Sequence, residues 1–65
     1  MMVHLVFEGS REVTEFNECI DSEKLMSAYK TSNGAQKEVD RLVKTLDEDD
    51  IEDTWYEIKT IRVRN

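Results

Sequence analysis

A histidine, a cysteine and a run of carboxylates are the side chains of this chain from which chemistry could be built. His4 is the only histidine and Cys19 the only cysteine among 65 residues. An imidazole and a thiol can form a base and nucleophile pair. Nothing in the flanking sequence orients these two toward each other, and a lone histidine on an apolar strand more often packs than catalyses. Asp47, Glu48, Asp49, Asp50, Glu52 and Asp53 put six acids into seven residues, the oxygen ligands that hard cations prefer. An EF-hand loop starting at Asp47 would need a ligand at its fifth position and Gly at its sixth; Ile51 and Glu52 stand there instead. At most a weak, diffuse association with Ca²⁺ or Mg²⁺ is expected. With no Gly-rich phosphate loop, no G-x-S-x-G and no paired Cys or His spacing, the sequence points to no catalytic residue, no metal site and no cofactor. A non-enzymatic role is expected.

Composition narrows the field further. Sixty-five residues make one small domain, with no room for a cleft between lobes. Hydrophobic residues at 38% and aromatics at 8% suit a folded chain, while 37% charged residues and a formal charge of -6 place it on the polar side. A single cysteine forms no internal disulfide, which fits a reducing compartment. No apolar run approaches the roughly 18 residues of a membrane span, and the N-terminus lacks the pattern of a signal peptide; a cytoplasmic protein is expected. Lys59, Arg62 and Arg64 alternate with Ile58, Ile61 and Val63 beside Trp55 and Tyr56, a basic strand that could follow a phosphate backbone. The net charge repels a polyanion. The simpler expectation is that these cations neutralise the acidic run, and nucleic acid is a weak alternative.

The elements that must carry these residues can be read in part. Ala35, Val39, Leu42, Val43 and Leu46 fall at i, i+4, i+7, i+8 and i+11, the apolar stripe of an amphipathic helix. Thr31, Ser32 and Asn33 are all competent caps, and Asn33 with Gln36 has the spacing of a capping box, so the helix should start near residue 33. Asp40 and Lys44 are spaced for a favourable i, i+4 pair. Acids oppose the negative end of the helix dipole, so the run from Asp47 should end the helix at about Leu46 to Glu48, with Ile51 pinning the loop to the core.

Residues 2–8 read as a strand, and Glu8-Gly9-Ser10-Arg11 as a two-residue hairpin turn with Gly where a type II′ turn needs it. Residues 12–20 fit either a short helix or a strand; the hairpin favours strand. Asp21-Ser22 then reads as a turn, and residues 24–30 as a strand with Leu25, Ser27 and Tyr29 on one face and Met26 and Ala28 on the other. In the last strand, residues 55–64, Tyr56 and Ile58 share one parity and Ile61 and Val63 the other, so either both faces bury something or a bulge near Lys59 and Thr60 restores the inward direction, the bulge being preferred. The sum is an α+β domain: an antiparallel-rich sheet of three or four strands, residues 2–8 central, one amphipathic helix on one face, in the order β-β-(β)-α-β.

A strand hairpin, a strand closing on Tyr29-Lys30-Thr31-Ser32, an immediate helix and a final strand with Tyr56-Glu57-Ile58 resemble the small strand-strand-helix-strand proteins of phage and prophage genomes. Gly34 in the first helical turn and the long acidic run depart from that pattern. The resemblance implies a host-takeover factor or an inhibitor that binds a host enzyme, and it carries no defined functional residues. Composition and resemblance together lead to a protein-binding module that presents Asp47, Glu48, Asp49, Asp50, Glu52 and Asp53 to a basic surface, in one version by mimicking nucleic-acid charge. The second reading is a structural homodimer burying an uncovered sheet face through Val6, Met26 and Ala28.

Overall fold

Val3, Leu5, Val6 and Phe7 are strongly β-prone and no proline interrupts the chain, so the opening strand has little local reason to stop. In the computed structural model, which describes residues 1–64, it continues well past Gly9. The elements are β1 (Met2–Val13), β2 (Cys19–Tyr29), α1 (Ser32–Thr45) and β3 (Thr54–Arg62). All strand pairs are antiparallel, and the order β2-β1-β3 puts β1 in the centre. The chain crosses from one edge of this open three-stranded sheet to the other through α1.

The hairpin loop starts six residues beyond the one expected at Gly9-Ser10. It is a three-residue loop, Glu15-Phe16-Asn17, closed by Thr14 N–H to Glu18 O at 2.8 Å and Asn17 N–H to Thr14 O at 3.0 Å. Asn17 takes the left-handed conformation at φ 60, which asparagine tolerates better than most residues and which this loop class requires. The Thr14 hydroxyl accepts from the Phe16 and Glu18 N–H groups. Residues 12–20 are therefore the end of one strand, the loop and the start of the next, and Asp21-Ser22 lies inside β2 instead of turning.

Gly9 is extended and serves packing, not a turn. It pairs with Trp55, and a Cβ built on Gly9 would overlap Trp55 Cε2, Nε1 and Cζ2. The indole lies flat on the one residue of β1 that leaves it room. Gly9→Ala should cost about 1–3 kcal/mol, the usual range for overpacking, and should alter the environment of the only tryptophan. Urea unfolding followed by Trp55 fluorescence measures both.

Antiparallel partners share a face, so register shows which residues the helix covers. Tyr29 pairs with His4 and its hydroxyl donates to Glu38 of α1 at 3.0 Å; His4, Val6 and Glu8, with Thr60, Ile58 and Tyr56 opposite them, therefore lie on the helix side. Val6 is fully buried there, as is Ala35 of α1. The β1–β3 register is unbroken from Met2↔Arg62 to Ser10↔Thr54, so the phase change in β3 is no bulge at Lys59-Thr60: Tyr56 and Ile58 face the helix while Trp55 and Ile61 face away. The irregularity falls in β2. Val6 pairs with Ser27 but Phe7 with Leu25, leaving Met26 as the extra residue and moving Leu25 to the face opposite Ser27 and Tyr29.

The helix is close to expectation. Thr31, in extended conformation, is the N-cap and its hydroxyl accepts from the Gly34 N–H at 3.1 Å. The cap thus comes two residues before the expected box, and Gln36 donates to Asp40 at 3.0 Å, which occupies the acid expected to pair with Lys44. Ala35, Val39, Leu42 and Leu46 point inward, whereas Val43 is 51% exposed. A Cβ at Gly34 would come within 3.1 Å of Tyr29 Cδ1; this departure from good helix-forming sequence lets the first turn settle on the Tyr29 ring.

Candidate interaction surface

The acidic run begins where the helix loses its hydrogen bonds. Leu46 leaves the helical region with φ -68 and ψ 133, and the Thr45 hydroxyl satisfies the Leu42 carbonyl at 2.8 Å. Two linked turns follow, with Asp50 N–H to Asp47 O at 3.0 Å and Asp53 N–H to Asp50 O at 3.2 Å. Asp53 O then accepts from the Arg11 N–H at 2.9 Å, tying the loop to the sheet just beyond the Ser10–Thr54 pair. All six carboxylates are exposed. Ile51 is 58% exposed and does not pin the loop to the core: the tight backbone turns hold the segment together.

The three ion pairs among the described residues lie elsewhere. Lys59 donates to Glu23 at 2.8 Å, its ammonium 4.7 Å from the centre of the Phe7 ring. Arg11 makes a two-pronged contact with Asp21 at 2.8 and 3.2 Å and sits 5.8 Å over Trp55. Arg41 pairs with Glu38 on α1. The hydrogen bond from Arg11 holds the Asp21 carboxyl below its ordinary range, and the one from Arg41 does the same for Glu38, with Tyr29 contributing after the opposing effect of desolvation. Glu23 raises Lys59 by its hydrogen bond. Tyr56 is raised first by burial and then by its 3.0 Å hydrogen bond to Glu8.

These contacts correct the expectation that the β3 cations neutralise the run. Lys59 reaches across the sheet to Glu23, and Arg62 lies opposite Met2 at the far end of β3. Lys59 and Arg62 also point to opposite faces, so they form no continuous basic stripe. His4 shares a 2.9 Å hydrogen bond with the Thr60 hydroxyl on the helix side. Cys19 is exposed opposite Val13, some ten residues along the sheet, or roughly 30 Å, from His4. The two do not meet. Among the described residues no three His, Cys, Asp or Glu side chains converge as a metal site, no cavity is enclosed, and no helix is long and apolar enough to cross a membrane.

The uncovered sheet face expected from the sequence is the side away from α1, formed by a different set of residues. Val3, Leu5, Phe7, Leu25, Ala28, Trp55 and Ile61 share it. Val6, expected on the uncovered face, is under the helix, because α1 packs on the side of its parity. The Trp55 indole donates to Glu57 at 3.1 Å here, and the Lys59–Glu23 and Arg11–Asp21 pairs bridge the aromatic rings. The alternating strand pattern shows that such a face exists, but only the register across Met26 shows which residues form it. No protein-family model, curated protein or solved structure matches the chain.

Proposed function

We propose that the chain is a non-enzymatic protein-binding module whose partner carries a basic surface, engaged by Asp47, Glu48, Asp49, Asp50, Glu52 and Asp53. The observation supporting this reading is that six exposed carboxylates occupy one short turn segment with no ion pair among the described residues, while Asp21, Glu23 and Glu38 are each matched by a cation. Unmatched like charges held this close repel one another and favour a cationic partner, mainly through the rate of encounter. Occupation of a groove that normally receives nucleic-acid phosphates is the specific form of the proposal, and an inhibitor or takeover factor of the phage kind is its biological setting.

The test is to replace Asp49, Asp50, Glu52 and Asp53 by Asn or Gln together. Acids near a helix C-terminus oppose the dipole by a few tenths of a kcal/mol each, so the variant should keep the parent's circular dichroism and melt at the same or a slightly higher temperature. Affinity for a partner recovered with the parent protein should fall about tenfold or more at low salt. Equal affinity of parent and variant would leave the run a solubilising feature.

A further inference from the structure

We infer that the sheet face away from the helix is where a second copy of this chain packs, through Leu5, Phe7, Leu25, Trp55 and Ile61, to give an α/β/β/α four-layer dimer. This goes beyond the acidic-run reading and does not depend on it. The first argument is area. A compact monomer of 7.7 kDa should expose about 4,300 Å², whereas this chain exposes 5363 Å². The excess, roughly 1,000 Å², is of the order of the 800 Å² or so that each partner contributes to a standard stable interface. Shape agrees: the radius of gyration is 14.0 Å against about 11 Å for a compact chain of this length, and the molecule is a slab of 46 × 25 × 10 Å. That is one helix layer on one sheet layer, its second broad side open.

The second argument is composition of that side. Leu25 is 54% and Ile61 45% exposed, and both join the half-buried Leu5, Phe7 and Trp55 in one patch. Isolated apolar residues on a surface are ordinary, but a patch of them among polar groups marks an interface, and here the Lys59–Glu23 and Arg11–Asp21 pairs lie across the patch beside Phe7 and Trp55. The third argument selects a second copy as the occupant. Between Val3 and Arg11 this face carries two cations, Arg11 and Lys59, and three carboxylates, Asp21, Glu23 and Glu57, with Asp53 beside Arg11 at its rim, so most of the chain's net charge of -6 lies elsewhere. Two such chains repel least along this side. Antiparallel sheets stack face to face at about 10 Å with interdigitated side chains, a spacing that suits the low relief of Leu, Ile and a flat-lying indole.

Sedimentation equilibrium from about 5 to 500 μM, read beside Trp55 fluorescence, tests this. The parent should pass from 7.7 kDa toward twice that mass, and over the same range the emission of its only tryptophan should move to shorter wavelength as the indole leaves water. Leu25→Glu and Ile61→Lys, at positions exposed enough for the monomer to accept them, should keep the parent's circular dichroism and remain monomeric throughout. A parent that stays at 7.7 kDa overturns the inference. So does a dimer whose Trp55 emission does not change with concentration, or one that survives both substitutions, since either places the contact on another side. A monomer that instead co-sediments with phosphatidylcholine vesicles through Leu25 would assign the face to lipid and equally overturn it.

Discussion

Val6→Asp is expected to leave the chain unfolded at 25 °C. Among the described residues Val6 is the one large side chain buried completely, held between β1's neighbours Ser27 and Ile58 on the helix side of the sheet. A carboxylate there has no cation within the ion pairs of the fold, and an uncompensated buried charge costs about 3–5 kcal/mol or forces the group to take up a proton. A domain of this length has about 3–10 kcal/mol in total. Loss of the far-ultraviolet helix signal and collapse of amide proton dispersion measure the result; a variant with the parent's spectrum and melting curve would mean that α1 does not cover Val6.

The second large effect separates two leucine-stripe positions that look equivalent in sequence. Leu42 is half-buried and points toward the sheet, while Val43, also part of the expected stripe, is 51% exposed. Leu42→Ala should cost about 2 kcal/mol, the lower end of the range for buried leucine because part of the side chain is already in water. Val43→Ala should cost within about 0.5 kcal/mol, as surface substitutions do. The contrast matters more than either value, since a helix rotated by one residue would reverse it. Urea midpoints of the two variants, at constant m, give the comparison directly.

What could be read in the sequence was what depends on neighbours. The helix follows from Ala35, Val39, Leu42 and Leu46 and from capping side chains a few residues away, and the central place of β1 follows from the crossover between strands on either side of α1. The hairpin is expected too early in the chain because Gly9 carries a local turn signature whose actual cause, the Trp55 ring, is 46 residues away in the chain and adjacent only across the sheet. The true turn depends on Asn17 and on the Thr14 hydroxyl, a weaker local signature than Gly-Ser. The phase change in β3 leaves two readings, apolar residues on both faces or a bulge, and the unbroken register selects the first over the preferred bulge, with Trp55 and Ile61 on the second face.

The site divides in the same way. The six acids are contiguous, and their exposure needs only a helix that ends before Asp47. That they form no ion pair among the described residues is not local information: it depends on Lys59 reaching Glu23 and on Arg62 lying at the opposite end of β3. Of the expected open-face residues, Ala28 lies on that face opposite Leu5, whereas Val6 is under the helix and Met26 is the extra residue of β2. One extra residue there exchanges the faces of everything before it in β2, which moves Leu25 into the patch beside Phe7.

The salt dependence of the association rate tests the acidic-run proposal most directly. With the recovered partner immobilised and the parent in solution, the rate should fall steeply as salt rises from about 10 to 150 mM, because the Debye length shrinks from roughly 30 to 8 Å, while dissociation changes little. The variant lacking the charges of Asp49, Asp50, Glu52 and Asp53 should start slower and show a much shallower slope. Superimposable, flat salt profiles for parent and variant would contradict an electrostatic interface at residues 47–53.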